Sequence, residues 1–314
     1  MPRRRVGVLL IAGAALLTAA VLAFAGAGES PGALSNGQAF VLGVVQGLTE
    51  LLPISSSGHL ILVPWLAEWE FLEQNDEFNQ TFDVALHLGT LVAVAVYFWT
   101  TIAELVRAWL RSVRKRRVES RDERIAWVIA IATVPAAVVG ALGEELIAER
   151  LGEPWQIAVL LAVFALLLWV ADRTKPRRAP ADLGVREALA LGLAQALALA
   201  PGVSRSGVTI SAARFLGLDR EEAANVSFLL LVPITLGAVL WKGVTDVLLG
   251  DLPPGWGGPF LVGTIAAAGS GLLAIWGLLA YVRRHTYTVF VIYRLVVAAL
   301  VVLLIATGVR EAGF

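Results

Sequence analysis

Apolar residues in this chain fall in long blocks rather than short alternations. Six blocks approach the roughly 20 helical residues that cross a bilayer: Val84–Val106, Ile125–Leu142, Trp155–Ala171, Ala223–Trp241, Phe260–Val282 and Tyr287–Thr307. A seventh, Val6–Ala25, follows Arg3, Arg4 and Arg5 and ends in Ala23-Phe24-Ala25. It reads as an extra membrane helix, with a cleaved signal peptide as the alternative. Two further stretches are amphipathic and interrupted: Gln38–Trp65 by Pro53 and a serine run, Val185–Phe215 by Pro201-Gly202 and a second serine run. Such breaks rule out one straight crossing, so each predicts a re-entrant helix-turn-helix that dips into the membrane and returns.

Charge orients these elements, because short loops rich in Lys and Arg stay on the cytoplasmic side. The loop after the first block carries Arg107, Arg111, Arg114, Lys115, Arg116 and Arg117, and the loop after the third carries Arg173, Lys175, Arg177, Arg178 and Arg186. Both are expected inside. Glu68, Glu70, Glu73, Asp76 and Glu77 precede the first block without Lys or Arg, and Glu144–Pro154 is acidic on balance. Both are expected outside. The first interrupted stretch therefore enters from outside and the second from inside.

A shift of 149 residues aligns Gly43 with Gly192, Gln46 with Gln195, Leu48 with Leu197, Ser55 with Ser204, Ser57 with Ser206 and Gly58 with Gly207. Three blocks follow each copy, and an odd number of crossings between the copies inverts the second. The expected fold is thus an all-α polytopic membrane protein built as an inverted-topology repeat, each half a re-entrant helix-turn-helix plus three transmembrane helices. Residues 1–30 form an extension. Residues 38–314 form one membrane-embedded domain, with repeat 1 about 38–172 and repeat 2 about 185–308. In this plan the broken helices meet near the midplane, where the site is expected.

Composition narrows the classes. Hydrophobic residues make up 58% and charged residues 16%, which excludes a cytosolic enzyme and a disordered chain. The absence of cysteine excludes disulfides, thiolate metal sites and thiol nucleophiles. Lys and Arg balance Asp and Glu at 25 each, so nothing global points to nucleic acid.

Candidate chemistry sits at the two breaks. The first reads Gln46-Gly-Leu-Thr-Glu50-Leu-Leu-Pro53-Ile-Ser55-Ser56-Ser57-Gly58-His59. Helical spacing puts Gln46 and Glu50 on one face, and a helix starting near Ser55 puts His59 one turn from Ser55 and Ser56. A carboxylate, hydroxyls and an imidazole thus converge at a helix N-terminus, which favours anions and above all phosphate. Pro53 and the serines alone would only end one helix and cap the next. An ionisable pair inside a re-entrant segment, however, is costly unless it faces a cavity and has a task. The second break reads Pro201-Gly202-Val203-Ser204-Arg205-Ser206-Gly207-Val208-Thr209. It offers Arg205, the side chain suited to bidentate phosphate binding, or else an ion pair with Glu50. Asp83 and His87 are placed at the border of the site or at the membrane interface. Asn225, Ser227 and Thr235 are read as helix-packing residues, and Arg294 as snorkelling from the cytoplasmic end.

Taken together, Gln-x-x-x-Glu, Pro-x-Ser-Ser-Ser-Gly-His and Pro-Gly-x-Ser-Arg-Ser-Gly-x-Thr resemble the undecaprenyl-diphosphate phosphatase, or bacitracin-resistance, family. The likeness runs from about Gln38 to the C-terminus, including Phe82-Asp83-Val84, Leu88-Gly89 and Tyr293-Arg294. The resemblance implies removal of the terminal phosphate of undecaprenyl diphosphate outside the bacterial cytoplasmic membrane. That regenerates the monophosphate carrier for peptidoglycan and gives bacitracin resistance. It implies that Glu50, His59 and Arg205 are essential and that Ser55, Ser56, Ser204, Ser206 and Thr209 line the phosphate site; Ser56 joins the catalytic candidates by its place one turn from His59, and Gln46 the substrate-binding ones by sharing a face with Glu50. It also implies a divalent cation, Mg²⁺ or Ca²⁺, on Glu50; the family's first acidic-motif position can be Glu or Gln, and Gln46 gives one carboxylate fewer. Ser56 could attack with His59 as its base, or water could attack while Ser56 binds phosphate. The expected partners are a polyprenyl diphosphate lipid, the bilayer and a second copy of the chain in a homodimer. The competing expectation is a transporter or flippase of polyprenyl phosphate, because inverted repeats with broken helices are also a transporter plan.

Overall fold

The computed structural model describes residues 34–69, 76–248 and 256–312. The Val6–Ala25 block lies outside the described residues. Among those residues the regular elements are helical: α1 Asn36–Leu51, α2 Ser56–Ala67, α3 Asp76–Tyr97, α4 Trp99–Lys115, α5 Arg121–Arg150, α6 Pro154–Ala171, α7 Val185–Leu197, α8 Arg205–Phe215, α9 Arg220–Lys242, α10 Gly257–Val282 and α11 Thr288–Ala306. Six are long and apolar enough to cross a membrane: α3, α5, α6, α9, α10 and α11. The chain is an all-α polytopic membrane protein.

One expected span is cut short. The block Val84–Val106 is not one crossing, because α3 ends at Tyr97 and α4 begins at Trp99. Phe98 between them leaves helical geometry (φ −102°, ψ 21°), and its ring packs on Tyr97 and Phe228. Beyond it Leu105, Ala108 and Ser112 are buried while Arg107, Arg111, Arg114 and Lys115 are exposed. These charges cannot follow α3 along the apolar layer, so the helix changes direction where they begin.

Side-chain pairs at the helix ends sort them into two faces. On one face Arg310, beyond α11, pairs with Glu68 at 2.5 Å and donates to the Leu66 carbonyl at the end of α2. Lys242, ending α9, donates to Gln80 near the start of α3. On the other face Arg178 reaches Glu187 at the start of α7, and the Gly217 carbonyl after α8 accepts from the Arg177 amide. The helix pairs α1–α2 and α7–α8 therefore enter from opposite faces.

Each first arm packs on a crossing helix of the other half. Gly43 and Gly47 of α1 lie against α10, where a β-carbon at Gly43 would come within 2.8 Å of Ala266 Cβ. Gly192 of α7, one shift of 149 residues later, lies against α5, and its β-carbon would come within 2.8 Å of Pro135. Small residues let helix axes approach closely where lipid supplies no hydrophobic drive for association. Ser270 and Gly271 serve the same contact: the Ser270 hydroxyl faces the Gly43 carbonyl, and Gly271 lies against Leu51 and Ala93.

Candidate active site

Both breaks use the same local device. Ser55 and Ser204 are the N-caps of α2 and α8, with φ of 78° and 74°. Left-handed backbone is uncommon for a residue with a β-carbon, and it persists only where neighbours over-determine it. Here each serine oxygen accepts from the amide three residues on, Gly58 for Ser55 and Gly207 for Ser204. Such caps satisfy amides that a helix start leaves unpaired.

Hydrogen bonds then tie one break to the other. The Gly202 amide donates to Ser55 Oγ at 3.2 Å, and Ser206 Oγ donates to the Leu52 carbonyl at 2.9 Å. Arg294 lies fully buried behind them. Its Nη2 donates to the carbonyls of Gly202 (2.9 Å) and Val203 (3.0 Å), its Nη1 to Pro53 (3.5 Å) and its Nε to Leu161 of α6 (3.1 Å). Arg294 is thus a clamp between the two breaks, not a snorkelling residue. In a low-dielectric interior the break carbonyls of Pro53, Gly202 and Val203 would lose this donor at a cost of about 1–3 kcal/mol each, while the Leu161 carbonyl keeps its place in the α6 ladder.

The clamp brings the two charged candidates together. Glu50, in the last turn of α1, accepts at Oε1 from Arg205 Nε at 2.9 Å, across 155 residues of sequence. Its Oε2 accepts from Ser56 Oγ at 2.5 Å, lies 3.5 Å from Gln46 Nε2 and faces His87 Nε2, also at 3.5 Å. Arg205 Nη1 donates to the Ser227 carbonyl at 2.8 Å, and Arg205 Nη2 is buried without a hydrogen-bond partner. Gln46 Oε1 is buried and unpartnered as well. A buried, unpaired guanidinium N–H beside a carboxylate and a hydroxyl is the donor an incoming phosphate oxygen requires.

The other candidates are placed as follows. His59 Nδ1 lies 2.6 Å from the Ser55 carbonyl, which can only accept, so Nδ1 carries the proton. Its Nε2 then accepts from Tyr293 OH at 2.8 Å, and the two rings stack. His59 is therefore paired with Tyr293, while the hydroxyl of Ser56 is paired with Glu50. Thr209 Oγ1 is engaged by the Arg205 carbonyl (2.6 Å) and Ser227 Oγ (2.7 Å). The hydroxyls of Ser55, Ser204 and Ser206 are engaged at helix starts and in joining the breaks, and that of Thr209 ties α8 to α9.

Sequence reasoning undervalued two residues here. His87 donates from Nδ1 to the Asp83 carbonyl at 2.7 Å, which turns Nε2 toward Glu50. Its ring is 31% exposed while Glu50 is 5% exposed, so His87 stands on the open side of the cluster. The four-residue spacing of Asp83 and His87 was the available signal. Ser227, read as packing, holds both Arg205 and Thr209, and nothing in its neighbourhood along the chain marks it.

Donor chemistry tests the expected divalent cation. Ca²⁺ takes six to eight oxygens, whereas Mg²⁺ keeps several waters and needs one or two protein oxygens plus substrate phosphates. Among the described residues no three His, Cys, Asp or Glu side chains gather as metal ligands. Glu50 has both oxygens hydrogen-bonded, and Gln46 Oε1 is the uncommitted oxygen beside it. That set makes no cage for a resident ion. It fits an ion that arrives hydrated on a diphosphate.

A family model described as bacitracin resistance protein BacA matches residues 39–300. The undecaprenyl-diphosphatase of Geobacter sulfurreducens is 48% identical over 259 residues, covering 82% of this chain and 93% of the relative. Those of Moorella thermoacetica (45% over 266 residues, 84% and 96%) and Pelotomaculum thermopropionicum (43% over 278 residues, 88% and 98%) are similar at the same level. Matched over most of its length, with the Glu50–Arg205 pair at the junction of its two breaks, the chain belongs to the bacitracin resistance protein BacA family.

Proposed function

We infer that this protein is an undecaprenyl-diphosphatase, which hydrolyses undecaprenyl diphosphate to undecaprenyl phosphate and inorganic phosphate. Curated relatives of that name match over more than four fifths of the chain. The structural observation that carries the reading is the buried, unpaired Nη2 of Arg205 next to the Ser56–Glu50 pair.

In the proposed reaction the terminal phosphate accepts from Arg205 Nη2 and from amides in the first turns of α2 and α8, which neutralise charge on the transferring group. Ser56 Oγ attacks the terminal phosphorus while its proton passes to Glu50, and the bond from phosphorus to the bridging oxygen breaks. Undecaprenyl phosphate leaves. Glu50 returns that proton to the leaving oxygen or to solvent and then takes one from water, whose oxygen attacks the phosphoserine. The Ser56 O–P bond breaks, Ser56 recovers its proton and phosphate departs. His59 and Tyr293 keep the first turn of α2 in place and provide a proton-exchanging pair one turn from Ser56. A Mg²⁺ or Ca²⁺ ion on the substrate would be held by Glu50 and Gln46 Oε1 and would supply further neutralisation of phosphate charge.

The reading places the protein in the bacterial cytoplasmic membrane with the site open to the outer face. Support comes from the sequence: basic segments along and just after α4 and after α6, acidic segments before α3 and at the end of α5. A carrier of polyprenyl phosphate would need Arg205 but would have no use for a serine hydroxyl delivered to a carboxylate at 2.5 Å. The test is phosphate release by purified protein in detergent from undecaprenyl diphosphate and, separately, from undecaprenyl phosphate. Release from the first and none from the second is expected. A folded protein that binds the diphosphate and releases nothing with Mg²⁺, with Ca²⁺ or without either would favour transport.

A further inference from the structure

A second convergence of charge lies on the opposite face of the protein, at the ends of α6, α8, α9 and α11. Its floor is one buried carboxylate, Asp172. Oδ1 of Asp172 accepts from Arg220 Nε at 2.6 Å, Oδ2 accepts from the Tyr287 amide at 3.0 Å, and Arg214 Nε stands 3.9 Å away. Arg214, also buried, donates to the carbonyls of Leu218, Asp172 and Thr174. The floor therefore already holds two guanidiniums against one carboxylate.

The rim adds cations and hydroxyls. Arg173 and Lys175 are exposed, and among the described residues neither has a carboxylate within ion-pair distance. Arg173 is not splayed into solvent: its guanidinium sits 3.1 Å over the indole of Trp169. The Thr286 hydroxyl donates to Thr288 Oγ1 at 2.9 Å, leaving the Thr288 proton free to be given. Thr288 opens α11, whose start carries no side-chain cap and borders the cavity. Between these groups lies a cavity of about 470 Å³. Along α6 from Trp169 toward the other face, Leu166, Val163 and Val159 follow at helical spacing, are about half exposed and form an apolar path down the helix.

We propose that this pocket binds the phosphate of an anionic phospholipid headgroup in the inner leaflet, with the acyl chains lying along α6. Guanidinium, ammonium, hydroxyl and helix-start amides suit a phosphate, and the only carboxylate is already neutralised. A basic pocket between membrane helices on the cytoplasmic side is the setting in which anionic lipid headgroups are held. The lipid, rather than free phosphate, follows from the exposed Trp169–Leu166–Val163–Val159 surface that continues from the pocket into the apolar layer. The basic run Arg114–Arg117 is exposed around the end of α4 and lines no part of this cavity, so it serves as the control.

Native mass spectrometry of the full chain in detergent tests this, with phosphatidylglycerol and phosphatidylcholine of matched acyl chains as probes. Parent protein is expected to retain phosphatidylglycerol preferentially. Arg173→Gln with Lys175→Gln should lower that retention about thirtyfold, whereas Arg116→Gln with Arg117→Gln should lower it far less. Both pairs are exposed, so elution as a single detergent complex is expected for each. Equal retention in the parent and the Arg173/Lys175 variant, or an equal loss in the Arg116/Arg117 control, would overturn the site. Displacement of the lipid by millimolar inorganic phosphate would overturn the lipid assignment in favour of a soluble anion.

Discussion

Glu50 Oε1 accepts a hydrogen bond from Arg205 Nε at 2.9 Å, although 155 residues separate them and each ends or begins a different broken helix. The contact exists because Ser55, Ser206 and Arg294 fasten one break to the other. Arg205 then has its whole Nη2 amino group left for substrate. The arginine is both the counter-ion of the base and the receiver of the phosphate.

Ser56→Ala removes the proposed nucleophile while leaving the Glu50–Arg205 pair in place. Phosphate release should fall by about 10³-fold or more, with substrate binding retained. Rapid quenching of the parent with terminally labelled undecaprenyl diphosphate should trap label on Ser56. Full activity in Ser56→Ala would leave water as the nucleophile.

His87→Ala should lower kcat by about tenfold to a hundredfold, and His87→Gln, which keeps an N–H facing Glu50, should recover part of it. KM should change little in either, because the imidazole acts through the carboxylate. Equal loss in both variants would assign His87 a role beyond holding Glu50.

Arg294→Met takes their arginine donor from the carbonyls of Pro53, Gly202 and Val203, and a second donor from the helical carbonyl of Leu161. A loss of several kcal/mol of stability, about 1–3 kcal/mol per uncompensated group, is expected as a lower melting temperature in detergent. Arg294→Lys should fall between the parent and Arg294→Met. A melting temperature unchanged by Arg294→Met would remove the clamp from the account.

Gly202→Ala should also destabilise, by about 1–3 kcal/mol. Gly202 has φ of +98°, and a β-carbon there would come within 2.8 Å of the Ile157 carbonyl. Thermal unfolding of the variant measures the cost.

Much of this arrangement was legible in the sequence, and what was missed has a common cause. Pro53, Pro201-Gly202 and the serine runs announced two helix starts, and both fall where expected, with Ser55 and Ser204 as caps. Glu50 and Arg205 were legible because charges in apolar segments are rare. Arg294 was misread because its partners are backbone carbonyls of distant segments, which leave no trace in side-chain chemistry. His59 was assigned to Ser56 by helical spacing, yet its partner Tyr293 lies 234 residues away. The turn at Phe98 was hidden because hydropathy runs on through Tyr97, Phe98 and Trp99, and only the charges beyond them show that the crossing has ended.

Sidedness is open to direct labelling, since the chain has no cysteine of its own. Glu311→Cys and Arg116→Cys, both exposed positions, should react with an impermeant maleimide from opposite faces of intact cells and inverted vesicles. Reaction of both from one face would contradict the opposed entry of α1–α2 and α7–α8.

The most direct test of the central claim is the rate of phosphate release from undecaprenyl diphosphate by the parent, Glu50→Gln and Arg205→Ala, each confirmed to elute as the parent does. The account predicts release by the parent and a loss of about 10³-fold in each variant, because one lacks the base and the other the phosphate donor. Either variant releasing phosphate at the parent's rate would show that the junction of the two breaks is not where the diphosphate is cut.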